Sequence, residues 1–115
     1  MSDEATCLFC RIVRREIPAK IVSETDDILA FRDINPQAPY HVLIIPKRHV
    51  ANLNLVTDHT TIGTLTAAAA ALAHQEGFAE KGYRVVINTL ADGGQTVDHL
   101  HLHVLAGRHM KWPPG

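Results

Sequence analysis

The sequence predicts an α+β fold in which an antiparallel sheet of about five strands packs against one long helix, with a short helix near the N-terminus. Three observations predict it: short β-branched segments between turns rich in Pro and Gly, one long segment with helical spacing, and no internal repeat or linker. With 115 residues, 46% of them hydrophobic, the chain can bury one modest core. We therefore expect a single domain over residues 1–115.

The first half of the chain predicts a short helix and three strands. Leu8–Arg14 is a short apolar and basic stretch followed by a proline, as expected of one or two helical turns. Ile21–Ser23 and Ile28–Arg32 flank a polar turn and predict a hairpin. His41–Ile45 is apolar and rich in β-branched residues, so we expect a buried strand that ends at Pro46.

The second half predicts the long helix and two further strands. The helix extends from about Asp58 to Ala79, and either Asp58 or Thr57 can accept hydrogen bonds from its first backbone N–H groups. Its apolar residues recur at the spacing of one helical face: Ile62, Leu65, Ala69 and Leu72. The segments that follow are a strand at Tyr83–Asn88, a turn at Ala91–Gly94 and a final strand at His99–Leu105.

Composition and charge exclude several classes of function. The net charge is -1, with 11 basic and 12 acidic residues, so we expect no nucleic-acid or anionic membrane partner. There is no apolar run of about 18 residues, as a membrane span would need. The N-terminal residues lack the basic and apolar regions of a signal peptide, so we expect a cytoplasmic protein.

The segment His99–Leu105 alternates histidine with aliphatic residues. In a strand, this alternation places the imidazoles of His99, His101 and His103 on one face and the aliphatic side chains on the other. The aliphatic face can pack beneath the long helix, whereas imidazoles are costly to bury without polar partners. The pattern is therefore typical of a functional site.

One explanation is a surface strand that happens to carry histidines, which the strict alternation disfavours. Two kinds of functional site also fit such a strand. His-x-His can direct two nitrogens at one zinc ion, and a neutral imidazole can act as a nucleophile when its neighbours orient it. The segment Gly93–Thr96 leads into the histidines and favours phosphate chemistry. Glycines let backbone N–H groups approach an anion, and Gln95 and Thr96 add neutral donors. Taken alone, the two glycines are explained equally well by a tight turn.

These segments resemble a known family. Gly94–Leu105 resembles the signature of the histidine triad family, and residues 31–39 and 41–47 resemble the first half of its members. The C-terminal Lys111–Gly115 resembles the branch called histidine triad nucleotide-binding proteins. The resemblance implies the HIT-like fold and cleavage of a purine nucleotide at its α-phosphate.

The resemblance implies a different task for each histidine. In the family the middle histidine attacks the α-phosphorus and forms a nucleotidyl-histidine intermediate, and this role falls on His101. Its Nε2 must carry a lone pair, so the other ring nitrogen is expected to donate to a carbonyl, for which the backbone of His99 is the family precedent. His103 and His41 are expected to support it, although His41 is explained equally well as a buried, hydrogen-bonded core residue.

The resemblance also implies a nucleotide pocket. Thr96 stands where relatives often carry serine, and its hydroxyl is expected to hold the phosphate and to pass a proton to a departing amine. Asp33 matches the carboxylate that binds the ribose hydroxyls, although an aspartate before Asn-Pro also caps loops. Further positions match the surroundings of the phosphate or the base: Asn88, Gly94, Gln95, Leu8, Phe9, Ile12, Phe31, Ile34 and Leu43. For each apolar position in that set, core packing is the simpler explanation.

The two cysteines form a Cys7-x-x-Cys10 pair, which suits a metal or a redox pair better than a structural disulfide in a reducing compartment. The resemblance implies that His49 and His99 join them around a structural zinc ion. Two reduced thiols without a metal are the alternative. A thioredoxin-like role is less favoured, because no βαβ unit follows.

We therefore expect a hydrolase of purine nucleoside 5′-phosphoramidates, that is, AMP–amine conjugates or their GMP counterparts. The alternatives are a nucleotide-binding scaffold protein with incidental hydrolysis, a zinc-dependent hydrolase and a dinucleoside polyphosphate hydrolase. The tail Trp112–Gly115 favours the phosphoramidase branch. The resemblance also implies a homodimer formed through the long helix and a central strand.

Overall fold

The computed structural model describes residues 4–115; residues 1–3, on which part of the signal-peptide prediction rests, lie outside that range. In the described range the elements follow the order α1 (Leu8–Val13), β1 (Ile21–Glu24), β2 (Ile28–Arg32), β3 (Tyr40–Pro46), a 3₁₀ turn (Leu53–Leu55), α2 (Thr60–Glu76), β4 (Arg84–Val86), α3 (Leu90–Gly93) and β5 (Leu102–Ala106). None of these helices is long and apolar enough to cross a membrane. Cytoplasmic localisation stays a prediction.

The five strands form one antiparallel sheet in the order β1-β2-β3-β5-β4. The long helix α2 buries Leu65, Ala69 and Leu72 against one face of this sheet. The short helix α1 buries Phe9 and Ile12 on the other face. This architecture confirms the predicted α+β fold with its antiparallel sheet, long helix and short N-terminal helix.

Alternation along the central strands divides the core into two layers. In β2 and β3, Ala30 and Ile44 pack towards α2, whereas Leu29 and Ile45 pack towards α1. Because both faces are covered, these strands are buried along nearly their whole length. The same alternation continues through the histidine segment, where Leu100, Leu102 and Val104 join the layer beneath α2.

The predicted bounds of the last strand are wrong at its start, because β5 begins at Leu102 and not at His99. Its pairing with β3 starts at Ile44, opposite Leu102. Upstream of that point the backbone leaves the sheet, and Leu100 N–H donates to Val50 O at 2.6 Å. The first two histidines therefore lie on an irregular segment that enters the strand.

Other predicted bounds also shift. The long helix is shorter than predicted, because Gly77 adopts a left-handed φ of 86° and ends it. At its start, Asp58 Oδ1 accepts the Thr60 N–H at 3.0 Å, as predicted for one of the two candidates. The strand β4 is shorter than Tyr83–Asn88. The predicted turn at Ala91–Gly94 is instead a single turn of helix, α3, which ends at the left-handed Gly94.

Gly107 is the glycine with the strictest steric requirement. It has a φ of 95°, and a Cβ atom added there would lie 2.8 Å from Pro39 Cβ. We expect Gly107→Ala to lower the free energy of unfolding by about 2 kcal/mol, measured by urea denaturation. In the control Gly63→Ala, the new methyl group meets open space within α2, so a gain of about 0.5–1 kcal/mol is expected. Equal changes in the two variants would contradict this account.

Candidate active site and metal cluster

The hydrogen bonds of His101 determine which of its ring nitrogens carries a proton. Its Nδ1 lies 2.7 Å from the carbonyl oxygen of His99, which can only accept, so Nδ1 donates. The neutral ring therefore has its lone pair at Nε2. Within residues 4–115 no protein group hydrogen-bonds to this Nε2, and the ring is buried beside Phe9, with ring centroids 5.2 Å apart. The result is a buried neutral imidazole whose orientation and tautomer are fixed.

His41 and His103 form a relay that is fixed by a backbone donor. His41 Nδ1 accepts the Gln37 N–H at 3.0 Å, so the proton of the neutral His41 ring is on Nε2. That Nε2–H points to His103 Nδ1 at 2.9 Å and lies 3.4 Å from Asp33 Oδ2. Since its Nδ1 accepts, the neutral His103 ring carries its own proton on Nε2.

Burial keeps this relay neutral. Burial, with smaller contributions from the neighbouring His101 and His41, lowers the pKa of His103 to about 4. Burial also lowers the pKa of His41, against the opposing effect of the Asp33 carboxylate. At neutral pH both rings can therefore act as donors and acceptors without adding charge to the site.

A cavity of 340 Å³ opens beside these histidines, within the size range of small-molecule sites. We call it the nucleotide pocket, after the ligand that the sequence resemblance implies. Its lining comprises Leu8, Phe9, Ile12, Ile17, Pro18, Ala19, Phe31, Arg32, Asp33, Ile34, Leu43, Thr96, Val97, His101 and His103. Its apolar part includes Phe9 and Phe31, whose rings are in edge contact with centroids 5.4 Å apart. Its polar lining comprises Arg32, Asp33, Thr96, His101 and His103.

Asp33 and Ile34 lie at the mouth of the nucleotide pocket. Asp33 Oδ1 accepts the Asn35 N–H at 2.8 Å, so the carboxylate does cap its loop, while the same side chain lines the pocket. The two explanations offered by the sequence are compatible. Ile34 is fully exposed, as expected of a residue at a rim.

Three predicted residues do not line this pocket: Asn88, Gly94 and Gln95. Gln95 uses both of its side-chain N–H groups on backbone carbonyls, those of Ala51 at 2.8 Å and Val97 at 2.9 Å. Gly94 N–H donates to Ala91 O within the turn. Gln95 and Gly94 therefore hold the loop that carries Thr96. Contact of Asn88, Gly94 or Gln95 with a phosphate stays a prediction.

The pocket also contains residues that the sequence reasoning did not select. Ile17, Pro18 and Ala19 lie between α1 and β1 and form part of its apolar wall. Pro18 was noted only as a helix terminator, and nothing in the local pattern marked the segment as part of a site. The Gln37 N–H was missed for the same reason, because a backbone donor leaves no signature in the sequence.

On the α1 side of the sheet, Cys7, Cys10, His49 and His99 bring their ligand atoms within 4.8 Å of one another. We call these four residues the metal cluster. The distances to His99 Nδ1 are 3.4 Å from Cys7 Sγ, 3.5 Å from Cys10 Sγ and 3.3 Å from His49 Nδ1. A tetrahedral site with Zn–S bonds of about 2.3 Å and Zn–N bonds of about 2.0 Å has S···N edges of about 3.5 Å and N···N edges of about 3.3 Å. The cluster therefore matches the dimensions of a zinc site.

The protonation of the metal cluster also suits a cation. His99 Nε2 donates to Pro46 O at 2.8 Å, which leaves the lone pair of Nδ1 directed at the cluster. Burial, opposed by the bond to Pro46, lowers the pKa of His99 to about 4. Burial, reinforced by the Cys7 thiol, raises the pKa of Cys10 to about 12. A thiolate there needs a bound cation, which links metal binding to release of a proton.

A second group, Asp33, His41 and His103, also lies within 4.8 Å. Its tautomers disfavour a metal. The Gln37 N–H occupies His41 Nδ1, so the Nε2 that faces the group carries a proton and has no lone pair to offer. Of these two groups, only the metal cluster presents ligand atoms in the required form.

The neutral relay predicts how stability depends on pH. The pKa of His103 falls from its ordinary 6.5 to about 4 on folding, so the unfolded chain binds more protons between these values. The stability that depends on this neutral ring is complete above about pH 6.5 and is lost as the pH falls towards 4. Urea denaturation at constant zinc concentration should show this decline, and His103→Gln should make it shallower. A decline of equal slope in the variant would contradict the assignment.

Comparison with known proteins agrees with this geometry. Residues 14–110 match the family model described as HIT domain. The chain therefore belongs to the histidine triad (HIT) family. A HIT family hydrolase from Legionella pneumophila, known from a crystal structure, shares 54% sequence identity with this chain. The two structures superpose with a TM-score of 0.92 over 96% of this chain and 100% of the Legionella chain. These comparisons support a hydrolase of the HIT family.

Two curated relatives carry more specific names. The purine nucleoside phosphoramidase of Escherichia coli is 50% identical over 110 residues, which is 94% of this chain and 91% of that protein. A 14 kDa zinc-binding protein of Zea mays is 47% identical over 117 residues, 98% of this chain and 91% of that protein. Each name describes a property of that relative.

Proposed function

We propose that this protein hydrolyses purine nucleoside 5′-phosphoramidates at the α-phosphorus through a covalent intermediate on His101. The observation that carries the proposal is the 2.7 Å hydrogen bond from His101 Nδ1 to His99 O, which leaves Nε2 with its lone pair in a buried pocket. The name of the Escherichia coli relative supports the choice of a P–N bond as the bond that is cleaved.

The purine base of the substrate occupies the apolar part of the nucleotide pocket. In the first step, His101 Nε2 attacks the α-phosphorus of this bound substrate. A bond forms between Nε2 and phosphorus, the P–N bond of the substrate breaks, and the amine leaves with a proton. The hydroxyl of Thr96, which lines the same pocket, can donate that proton and take up another from solvent water. The positive charge that develops on His101 is stabilised through its Nδ1–H, which donates to the His99 carbonyl.

The neighbouring groups hold the nucleotide during this step. His103 Nε2–H can donate to a non-bridging oxygen of the phosphate, because the relay through His41 keeps the proton at that atom. Asp33 can accept from the ribose hydroxyls at the pocket mouth. Such neutral, fixed donors stabilise the charge of a phosphorane-like transition state without reorganisation.

In the second step, water attacks the nucleotidyl-histidine. A P–O bond forms, the bond between phosphorus and Nε2 breaks with its electron pair returning to Nε2, and the proton that the water loses passes to solvent. AMP or GMP is released, and His101 returns to its neutral form. Zinc in the metal cluster would have a structural task, since four protein ligands close its coordination shell. No step of the reaction needs it as a Lewis acid.

The test is turnover of a fluorogenic adenosine phosphoramidate by the purified protein. Release of the amine together with AMP is expected, with diadenosine polyphosphates cleaved more slowly. Tight AMP binding without turnover would instead favour a nucleotide-binding scaffold, and faster cleavage of the polyphosphate would favour a dinucleoside polyphosphate hydrolase. Full activity after treatment with a strong chelator would exclude the zinc-dependent alternative.

We further propose the homodimer that the resemblance implies, formed through the long helix α2 and through the edge strand β4, which would become a central strand of the combined sheet. The strand β4 lies at the edge of the sheet, and Val85 on it is 39% exposed. Unpaired edges of this kind readily take another strand. Sedimentation at micromolar concentration should show a dimer that Val85→Lys dissociates. Ile21→Lys is the matched control, because Ile21 is also 39% exposed but lies on β1 at the opposite edge. A monomeric wild-type protein would refute the dimer.

A further inference from the structure

The metal cluster and the nucleotide pocket are built on the same two pieces of chain. We propose that they are thermodynamically coupled: a zinc ion in the metal cluster raises the affinity of the nucleotide pocket for a purine nucleotide, and a bound nucleotide raises the affinity for zinc by the same factor. This inference rests on the proposed function, because it takes the ligand of the pocket to be a purine nucleotide. It assigns Cys7, Cys10 and His49 as positioning residues that act on the reaction from outside the pocket.

The first connection runs through His99. Its ring is held at one nitrogen by Pro46 O and presents the other, Nδ1, to the metal cluster. The backbone carbonyl of the same residue accepts the His101 Nδ1–H at 2.7 Å. A metal bond at Nδ1 would fix the ring from its second side and thereby limit motion of this carbonyl. Fixing the carbonyl fixes the orientation and the tautomer of the nucleophile.

The second connection runs through α1. Two ligands of the cluster, Cys7 and Cys10, bracket Leu8 and Phe9, which line the nucleotide pocket. The helix has only six residues, and a helix of that length depends on contacts outside itself. The ring of Phe9 also contacts both histidines, with centroids 5.9 Å from His99 and 5.2 Å from His101. Ligation of the two cysteines therefore holds one wall of the pocket in place.

The two ligands do not compete for space. Beside the metal cluster lies a separate cavity of 530 Å³, whose lining includes His49, Arg48 and Asp98 and shares no residue with the nucleotide pocket. His49 is the only half-buried member of the cluster, whereas the other three are buried. A metal ion can thus enter or leave past His49 while a nucleotide occupies the pocket. Coupling between two such distinct sites must be reciprocal.

The experiment measures both directions of the coupling. Isothermal titration of AMP into the zinc-loaded and the zinc-free protein gives one direction, with binding expected to be about tenfold tighter to the loaded form. The rate at which the zinc-loaded protein releases zinc to an excess of a chromophoric chelator gives the other. Saturating AMP is expected to slow this release about tenfold. The second measurement starts from loaded protein, so it holds even where the zinc-free chain fails to fold.

The variant Phe9→Leu tests whether AMP slows zinc release through the contacts of α1. Phe9→Leu removes the ring that contacts both histidines, so it should reduce the effect of AMP on zinc release while the protein still binds zinc. The matched control is Ile17→Val, which changes a residue of the same pocket that lies outside α1; the effect of AMP should persist in it. Equal reduction in both variants would overturn the route through α1.

The outcomes distinguish this inference from the proposed function. If AMP binds and an adenosine phosphoramidate is turned over, but AMP leaves the rate of zinc release unchanged, the coupling alone is overturned. Absence of AMP binding to the loaded protein overturns the proposed function and the coupling with it.

Discussion

His101→Asn is expected to lower kcat/KM for an adenosine phosphoramidate by about 10⁴-fold or more, since removal of a nucleophile is among the most damaging changes to an enzyme. Asparagine can still donate to the His99 carbonyl, which His101 Nδ1 contacts at 2.7 Å. It offers no lone pair of comparable nucleophilicity at the position of Nε2. The variant should therefore fold and bind AMP while it fails to release the amine.

The control for this variant is His74→Asn, which exchanges the same residue types at an exposed position on α2. It should leave kcat/KM unchanged. Equally slow amine release by the wild type and His101→Asn would show that the basal rate does not come from this histidine. That result would end the catalytic assignment, whatever the affinity for AMP.

Cys10→Ser is expected to abolish zinc binding and to lower stability markedly. The metal cluster lies in the buried layer beneath α1, so an ion bound only to the folded chain stabilises it by mass action. At a free zinc concentration about a thousand times the dissociation constant, this linkage amounts to about 4 kcal/mol in the free energy of unfolding. Thermal denaturation of protein with and without a chelator measures it.

The chelator also provides the internal control. It should lower the melting temperature of the wild type towards that of Cys10→Ser and should leave Cys10→Ser unchanged. The contrary result is a wild-type protein that contains no zinc after purification from zinc-supplemented medium and whose melting temperature the chelator does not change. It would show that the cysteines are unliganded thiols.

The layers of the fold could be predicted because each depends on local patterns. Alternation in β2 and β3, together with helical spacing around Leu65 and Ala69, decides which residues face α2. The alternation of the histidine segment likewise separated Leu100 and Leu102 from the three imidazoles. Such patterns predict burial because a period of two residues in a strand, or about 3.6 in a helix, places the apolar side chains on one face.

The start of β5 could not be predicted in the same way. Alternation continues through His99, yet the ladder begins only at Leu102, although β3 extends two residues beyond the Ile44 that faces it. The Leu100 N–H bonds instead to Val50 O, outside the sheet. Pro46 closes that strand with a carbonyl that accepts from the His99 ring and without an N–H to continue the ladder. The local alternation of apolar and polar residues does not determine which distant segments pair.

The same limit applies to the site. The histidines and the Cys7-x-x-Cys10 pair stand out in the sequence, whereas Gln37 acts through a backbone N–H that any residue but proline supplies. Gln95 shows the converse, because its amide looks suited to a phosphate but bonds to two backbone carbonyls of its own loop. Residue type indicates what a side chain could do, and tertiary contacts decide whether it is free to do it.

The central claim is that His101 carries the nucleotide between the two steps. The most direct test is mass spectrometry of the intact protein during turnover of an adenosine phosphoramidate, with a quench in base because a nucleotidyl-imidazole bond hydrolyses in acid. The wild type should gain the mass of one adenylyl group, mapped to His101, and His101→Asn should gain none. Turnover without any such adduct, or an adduct of equal yield on His101→Asn, would contradict the account.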